Sequence, residues 1–268
     1  MNQSEKRRFL ISELLKEHTP NEYEDYQKMQ IPARADEQKR LLRALMNVRL
    51  PGAVSQEFLK VQDDYLKEEL SEKGIVKVTD LEPLQKGIYL WQGDITRLAT
   101  DAIVNAANSG MTGCYQPNHT CIDNCIHTFA GVQLRLECAD IMEKQGHEEL
   151  TGQAKITSGY NLPCKYVLHT VGPIVNRTAF GSVGLTTKHC SQLASCYQSC
   201  MELADRKNCR SIAFCCISTG VFCFPNQKAA EIAVQTVMDY RAKTNSGMEV
   251  VFNVFKDEDY EIYKRLLG

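Results

Sequence analysis

From Ile75 to Leu267 short β-rich runs alternate with amphipathic helical ones, and this alternation restricts the fold more than any other feature of the chain. IVKVTD, GIYLWQGDI and DAIVNAAN read as strands, residues 122–145 read as a helix, and AKITSGY and KYVLHTVGP are strands again. A helix over LTTKHCSQLASCYQSCMELADRK, a strand at SIAFCCIS, a helix over NQKAAEIAVQTVMDYRA, a strand at MEVVFNVF and a terminal helix at DEDYEIYKRLL complete the pattern. Strands joined through helices pair by crossover rather than by hairpin. The expected architecture is therefore α/β, with a largely parallel or mixed sheet covered on both faces. In such sheets ligands sit beyond the carboxyl ends of the strands, so the loops that follow strands are where chemistry is to be sought.

The first 74 residues differ in style. They carry 27 charged side chains against 37 in the following 194, a density that suits solvated helix faces rather than buried strands. RRFLISELLKEH, DEQKRLLRALMNVR and SQEFLKVQDDYLKEELSEKG place apolar residues three and four apart, which predicts three helices. Pro20, Pro32 and Pro51-Gly52 punctuate them, and Gly74 ends the last. Residues 1–74 are thus read as a helical extension packed on a main domain spanning 75–268.

Charge and cysteine usage exclude several classes. A net charge of -2 argues against phosphate-backbone binding as the main task, which makes nucleic acid a poor partner. No apolar run is long enough to span a membrane. The start MNQSEKRRFLISELL is charged from its fifth residue and lacks a small-residue cleavage site, so the expected location is the reducing cytoplasm. The 12 cysteines, none before Cys114, are then either apolar filler or metal ligands.

Three strand-end loops carry the candidate chemistry. In QGDIT, Asp94 can accept from an exocyclic amine such as that of adenine, or simply cap a turn. In NAANSGMTG, Asn105 and Asn108 put amide donors and acceptors at the sheet edge, as a sugar hydroxyl requires, although one of them, Asn105 in particular, suits an Asx turn. In SIAFCCISTGVFCFPNQKAA a strand runs through Ser218, Thr219, Gly220, Val221 and Phe222 to a helix opening near Pro225. Backbone N–H groups of a small-residue loop before a helix form an anion site, and a diphosphate is its natural guest; a plain strand-to-helix turn is the alternative. The loop lacks the Lys and Ser/Thr of a P-loop, which favours binding over phosphoryl transfer.

One cysteine cluster differs from the rest. Cys114, His119 and Cys121 are spaced C-x4-H-x-C in a loop containing Pro117 and Asn118, and two thiolates with an imidazole suit Zn²⁺. Three close ligands without an evident fourth match a catalytic site that keeps a position open. Cys125 and His127 are further candidates for the ligand set. Cys215, Cys216, Cys223, Cys196, Cys200, Cys138, Cys164, Cys190 and Cys209 are read as interior filler, with a nucleophilic Cys215 or Cys216 left open.

QGDIT, DAIVNAAN, the run from Ile122 to Gly131 and ISTGVFCFP, in that order, resemble the macrodomain family of ADP-ribose-binding modules over Gly87 to Leu267. The glycine-rich run usual before the IDN segment is replaced by GMTGCYQPNHTC. That departure is similar to the zinc-dependent macrodomains of certain bacteria and fungi. Those proteins carry a helical N-terminal extension and are ADP-ribosylhydrolases, some encoded beside a sirtuin-type ADP-ribosyltransferase and a lipoyl-carrier protein of the glycine cleavage type. The resemblance implies a three-layer α/β/α macrodomain with a mixed central sheet, plus the helical extension. It assigns Asp94 to the adenine amine, Ile95 to the neighbouring backbone contact and Asn108 to the distal ribose. Ser218, Thr219, Gly220, Val221 and Phe222 would cradle the diphosphate, with Phe222 near that ribose. Asp123 corresponds to the acidic residue beside the scissile bond and forms the catalytic pair with Asn108. Cys114, His119 and Cys121 would hold one Zn²⁺ per chain, with Cys125 as helix filler.

The expected function is a zinc-dependent hydrolase removing mono-ADP-ribose from protein side chains, acidic ones by analogy with the relatives. Zinc would either activate a water or orient a ribose hydroxyl. A non-catalytic ADP-ribose reader with a structural zinc, and a phosphatase acting on ADP-ribose phosphate, use the same pocket and stand as alternatives.

Overall fold

A computed structural model describes residues 1–17, 29–176 and 184–268. Pro20 lies outside the described residues. The chain begins with three helices, α1 (Gln3–Glu17), α2 (Ala35–Val48) and α3 (Gln56–Lys73). Ser55 caps α3 by accepting from the Phe58 N–H at 3.1 Å, and Gly74, at φ 80°, ends it. The strands follow as β1 (Val76–Lys77), β2 (Pro83–Gln85), β3 (Ile88–Gln92), β4 (Leu98–Ala99) and β5 (Ala102–Ala107). Then come α4 (Ile122–Ala130), α5 (Val132–Gln145), β6 (Ala154–Ser158), β7 (Tyr166–Val171), α6 (Thr187–Arg206), β8 (Ser211–Phe214), α7 (Asn226–Thr244), β9 (Glu249–Val254) and α8 (Asp257–Leu267).

The main sheet has the order β2-β3-β9-β8-β5-β7-β6. Its five inner strands run parallel, while β2 and β6 pair antiparallel at the two edges, so the sheet is mixed. Strand β8 is buried along its whole length, and β5, β7 and β9 each leave only one residue half-buried, as a sheet covered on both faces demands. The helices α6, α7 and α8 pack in sequence as one layer, and α4 and α5, against β5 and β6, make the other. All five parallel strands end on the same side, which brings the loops after β3, β5, β7, β8 and β9 together.

Two expected elements change. IVKVTD contributes only β1, which pairs with β4 outside the main sheet before the chain enters a 3₁₀ turn at Val78–Asp80. The helix expected over 122–145 is two helices broken at Gly131, whose φ of 98° no continuing helix accommodates. The extension has its own apolar cluster, with Leu10, Ile11, Leu14, Leu42, Leu45, Phe58 and Val61 closed by Val132 of α5. Arg135 of α5 reaches the free carbonyls at the end of α2, donating from Nη1 to Met46 O at 3.2 Å, to Asn47 O at 2.8 Å and to Arg49 O. No described helix is long and apolar enough to cross a membrane.

Candidate active site

Asp123 is at the centre of the constellation. It lies in the first turn of α4, 4 % exposed, and two asparagines of the β5 edge hold its two oxygens. Asn105 donates from Nδ2 to Oδ1 at 2.8 Å, and Asn108 donates from Nδ2 to Oδ2 at 3.2 Å. Burial pushes the carboxyl up to about 6, against the pull of the two amides and the charge of Arg135. The result is a carboxylate poised near neutrality and fixed in orientation, as proton transfer requires.

The supports of Asp123 run deeper than the sequence suggested. Asn105 is not a turn residue; it belongs to β5 and its Nδ2 also lies 3.1 Å from His169 Nδ1. An amide nitrogen only donates, so Nδ1 accepts and the ring proton sits on Nε2, 2.9 Å from Thr157 Oγ1. Burial lowers the His169 pKa to about 3, so the ring stays neutral and the relay keeps its direction. The Asx turn belongs instead to Asn108, whose Oδ1 accepts from Gly110 N–H at 3.0 Å while Nδ2 also donates to Gly113 O at 3.1 Å. Both amide protons of Asn108 are therefore engaged within the protein, and Oδ1 keeps one lone pair for a hydroxyl.

Before α4 the chain makes the loop that carries the soft donors. Ligand atoms of Cys114, His119 and Cys121 lie within 4.8 Å of one another, and Cys114 Sγ is 3.6 Å from His119 Nδ1. Ordinary Zn–S and Zn–N bonds put a tetrahedral S···N edge at about 3.6 Å, so the three residues fit one such ion. Cys121 also caps α4, its sulfur accepting from Asn124 N–H at 3.4 Å, a position where a helix dipole favours a thiolate. Burial, with the charges of Cys114 and Asp123 adding to it, raises the Cys121 thiol well above its usual value, as expected of a donor pair that needs a cation to ionise. Cys125 stands outside this group, with its sulfur 3.4 Å from Arg43 Nη2. His127 lies in a separate interior group with Cys138 and His169.

The remaining loops face the same sheet edge. Asp94 caps the 3₁₀ turn Ile95–Arg97 through Oδ1, which accepts from Thr96 N–H at 3.0 Å and from Thr96 Oγ1 at 2.6 Å. Its Oδ2 has no bond among the described residues, so the capping role leaves one oxygen for an amine. After β8, Ser218 and Cys223 adopt left-handed backbone at φ 65° and 55°. The loop between them closes through Phe224 N–H to Ser218 O at 3.0 Å and Cys223 N–H to Gly220 O at 3.0 Å. The N–H groups of Gly220, Val221 and Phe222 find no acceptor among the described residues, just ahead of the α7 N-terminus. That is the composition of an anion cradle. The carbonyl of Phe222 accepts from Val175 N–H at 2.9 Å, which ties this loop to the one after β7.

The Macro domain family model matches residues 104–233. A Treponema medium protein named protein-ADP-ribose hydrolase is 59 % identical over 272 residues, covering 100 % of both chains. The chain belongs to the macrodomain family. A Staphylococcus aureus protein of the same name is 49 % identical, over 96 % of this chain and 92 % of its own length. The crystal structure of a Trypanosoma brucei macrodomain in complex with ADP-ribose superposes with a TM-score of 0.65 at 30 % identity, covering 84 % of this chain and 95 % of that one.

Of the other cysteines, six behave as interior, while Cys125, Cys190, Cys216 and Cys223 are only half-buried. Cys138, Cys164, Cys196, Cys200, Cys209 and Cys215 are buried, and all are free thiols. Burial pushes Cys164 and Cys215 up to about 12 and raises Cys216 as well, which leaves neutral thiols where a nucleophile would need a thiolate. Gly172, directly after β7, is a residue that the sequence reading passed over. A Cβ there would land on Ser218 Oγ and lie 2.9 Å from Ile217 Cγ2, so the cradle keeps its shape only with glycine at 172. Gly172→Ala is expected to cost about 1–3 kcal/mol of stability, read by urea unfolding, and to weaken ADP-ribose binding, read by calorimetry.

Proposed function

We propose that this macrodomain is a zinc-dependent hydrolase that removes mono-ADP-ribose from modified protein side chains. The observation that carries the reading is the placement of a buried, doubly anchored Asp123 two residues after a loop whose sulfur and nitrogen donors fit one zinc ion. The Treponema medium and Staphylococcus aureus relatives, both named protein-ADP-ribose hydrolase, support the hydrolase class. The adenine end is assigned to Asp94 and the backbone at Ile95, and the diphosphate to the loop from Ser218 through Thr219, Gly220 and Val221 to Phe222. Asn108 presents its free Oδ1 lone pair toward a hydroxyl of the distal ribose. Holding the nucleotide end in this way places the anomeric carbon beside Asp123, and positive charge develops at that carbon as the bond breaks. Asp123 orients the attacking water and takes its proton, while the side chain that bore ADP-ribose departs. A bound zinc supplies Lewis acidity at this position.

The substrate class that fits best is an acidic linkage, because a carboxylate is a good leaving group and needs no strong general acid. A lipoyl-carrier protein of the glycine cleavage type, modified by a sirtuin-type ADP-ribosyltransferase, is the partner that the family resemblance supplies. The test incubates the protein with Asp/Glu-linked and Ser-linked ADP-ribosylated proteins and measures free ADP-ribose by mass spectrometry. Release from the acidic linkage is expected. Tight ADP-ribose binding without release from either substrate would instead assign the pocket to a reader.

A further inference from the structure

The loop that carries Cys114, His119 and Cys121 is tied from behind by the helical extension. Arg43 and Asn47 are four residues apart on α2 and therefore share one face of it. Arg43 Nη2 donates to His119 O at 2.8 Å and lies 3.0 Å from Asn124 Oδ1. Asn47, 1 % exposed, accepts the Asn118 N–H at Oδ1 and donates from Nδ2 to Thr128 Oγ1 of α4, both at 2.9 Å. Asn118 has a φ of 55°, so the bond from Asn47 fixes an uncommon backbone turn immediately before His119.

Asn124 carries the connection to the other two donors. Its Oδ1 faces Arg43, its Nδ2 donates to Cys114 O at 3.3 Å and Gln116 O at 3.0 Å, and its backbone N–H donates to Cys121 Sγ. Arg135 closes the arrangement on the far side, binding Thr112 O through Nε at 2.8 Å, lying 4.3 Å over the Tyr115 ring and holding the end of α2.

We infer that α2 is the outer support of the metal centre, with Arg43 and Asn47 as positioning residues that hold His119, and through Asn124 both cysteines, at ligand spacing. The inference rests on the reading of Cys114, His119 and Cys121 as the zinc ligands. It gives the extension a role in the chemistry: removing a support leaves the donors present but no longer gathered, and groups that orient metal ligands change affinity by roughly 10- to 100-fold.

The experiment measures the zinc affinity of the full chain by competition with a chromophoric chelator, for wild type, Arg43→Ala, Arg43→Lys and Asn47→Ala. ADP-ribose affinity by calorimetry serves as the parallel readout, which a general loss of structure would also lower. Arg43→Ala and Asn47→Ala are expected to bind zinc roughly 10- to 100-fold more weakly with ADP-ribose affinity close to wild type, and Arg43→Lys to recover part of the loss. If Arg43→Ala does not fold, Asn47→Ala and Arg43→Lys decide. Wild-type zinc affinity in folded variants would overturn the inference. Zinc binding that survives Cys114→Ala would overturn the ligand assignment instead.

Discussion

Cys114→Ala is expected to lower the release of ADP-ribose from modified protein by roughly 10³-fold, the factor that corresponds to several kcal/mol of lost Lewis-acid stabilisation. The Cys114–His119 separation of 3.6 Å is one edge of the proposed site, and with one sulfur gone two donors remain. Affinity for free ADP-ribose changes little, because Asp94 and the loop after β8 make no bond to Cys114 among the described residues. Single-turnover kinetics with modified protein, beside calorimetry with ADP-ribose, separates the two quantities. Parallel loss of both would mean that the loop organises the pocket rather than the chemistry.

Asp123→Asn is expected to reduce turnover by about 10²- to 10⁴-fold, the usual contribution of a positioned acid–base group. This variant also leaves a mark on stability. Asn105 and Asn108 both donate to the carboxylate, and an asparagine at 123 offers only one oxygen to the two amides. One buried donor then meets another donor, at a cost of about 1–3 kcal/mol. Urea unfolding reads this loss, and the zinc affinity of the variant stays close to wild type. The pair of variants thus distinguishes the metal from the base: Cys114→Ala loses zinc and turnover, Asp123→Asn turnover and stability.

Much of the fold follows from local pattern. The switch from dense charge to β-rich runs marks where the extension ends, and the terminal helix Asp257–Leu267 falls where its periodicity puts it. The edge strand Pro83–Gln85 has no such signal, being three exposed residues that open on a proline. The sequence pattern runs as one helix through Gly131, and the break there shows only in its φ of 98°, where α4 ends and α5 begins. In the candidate site, the loop carrying Cys114, His119 and Cys121 and the strand-end residues Asp94, Asn108 and Ser218 are set by short motifs and could be named from them. The supports could not. Asn105 and His169 are 64 residues apart, and Arg43 and Asn124 are 81 apart. No spacing rule links such pairs, and only the closed sheet and the docked extension bring them together.

Hydrolysis is proposed to depend on a metal held by Cys114, His119 and Cys121. The deciding test strips the protein with a chelator, verifies the metal content by mass spectrometry, and follows the release of ADP-ribose from an acidic-linked substrate as zinc is added back. Turnover is expected to disappear on stripping and to return in proportion to zinc, with a break at one equivalent per chain, while Cys121→Ala never recovers. Full turnover by the stripped, metal-analysed protein would contradict it.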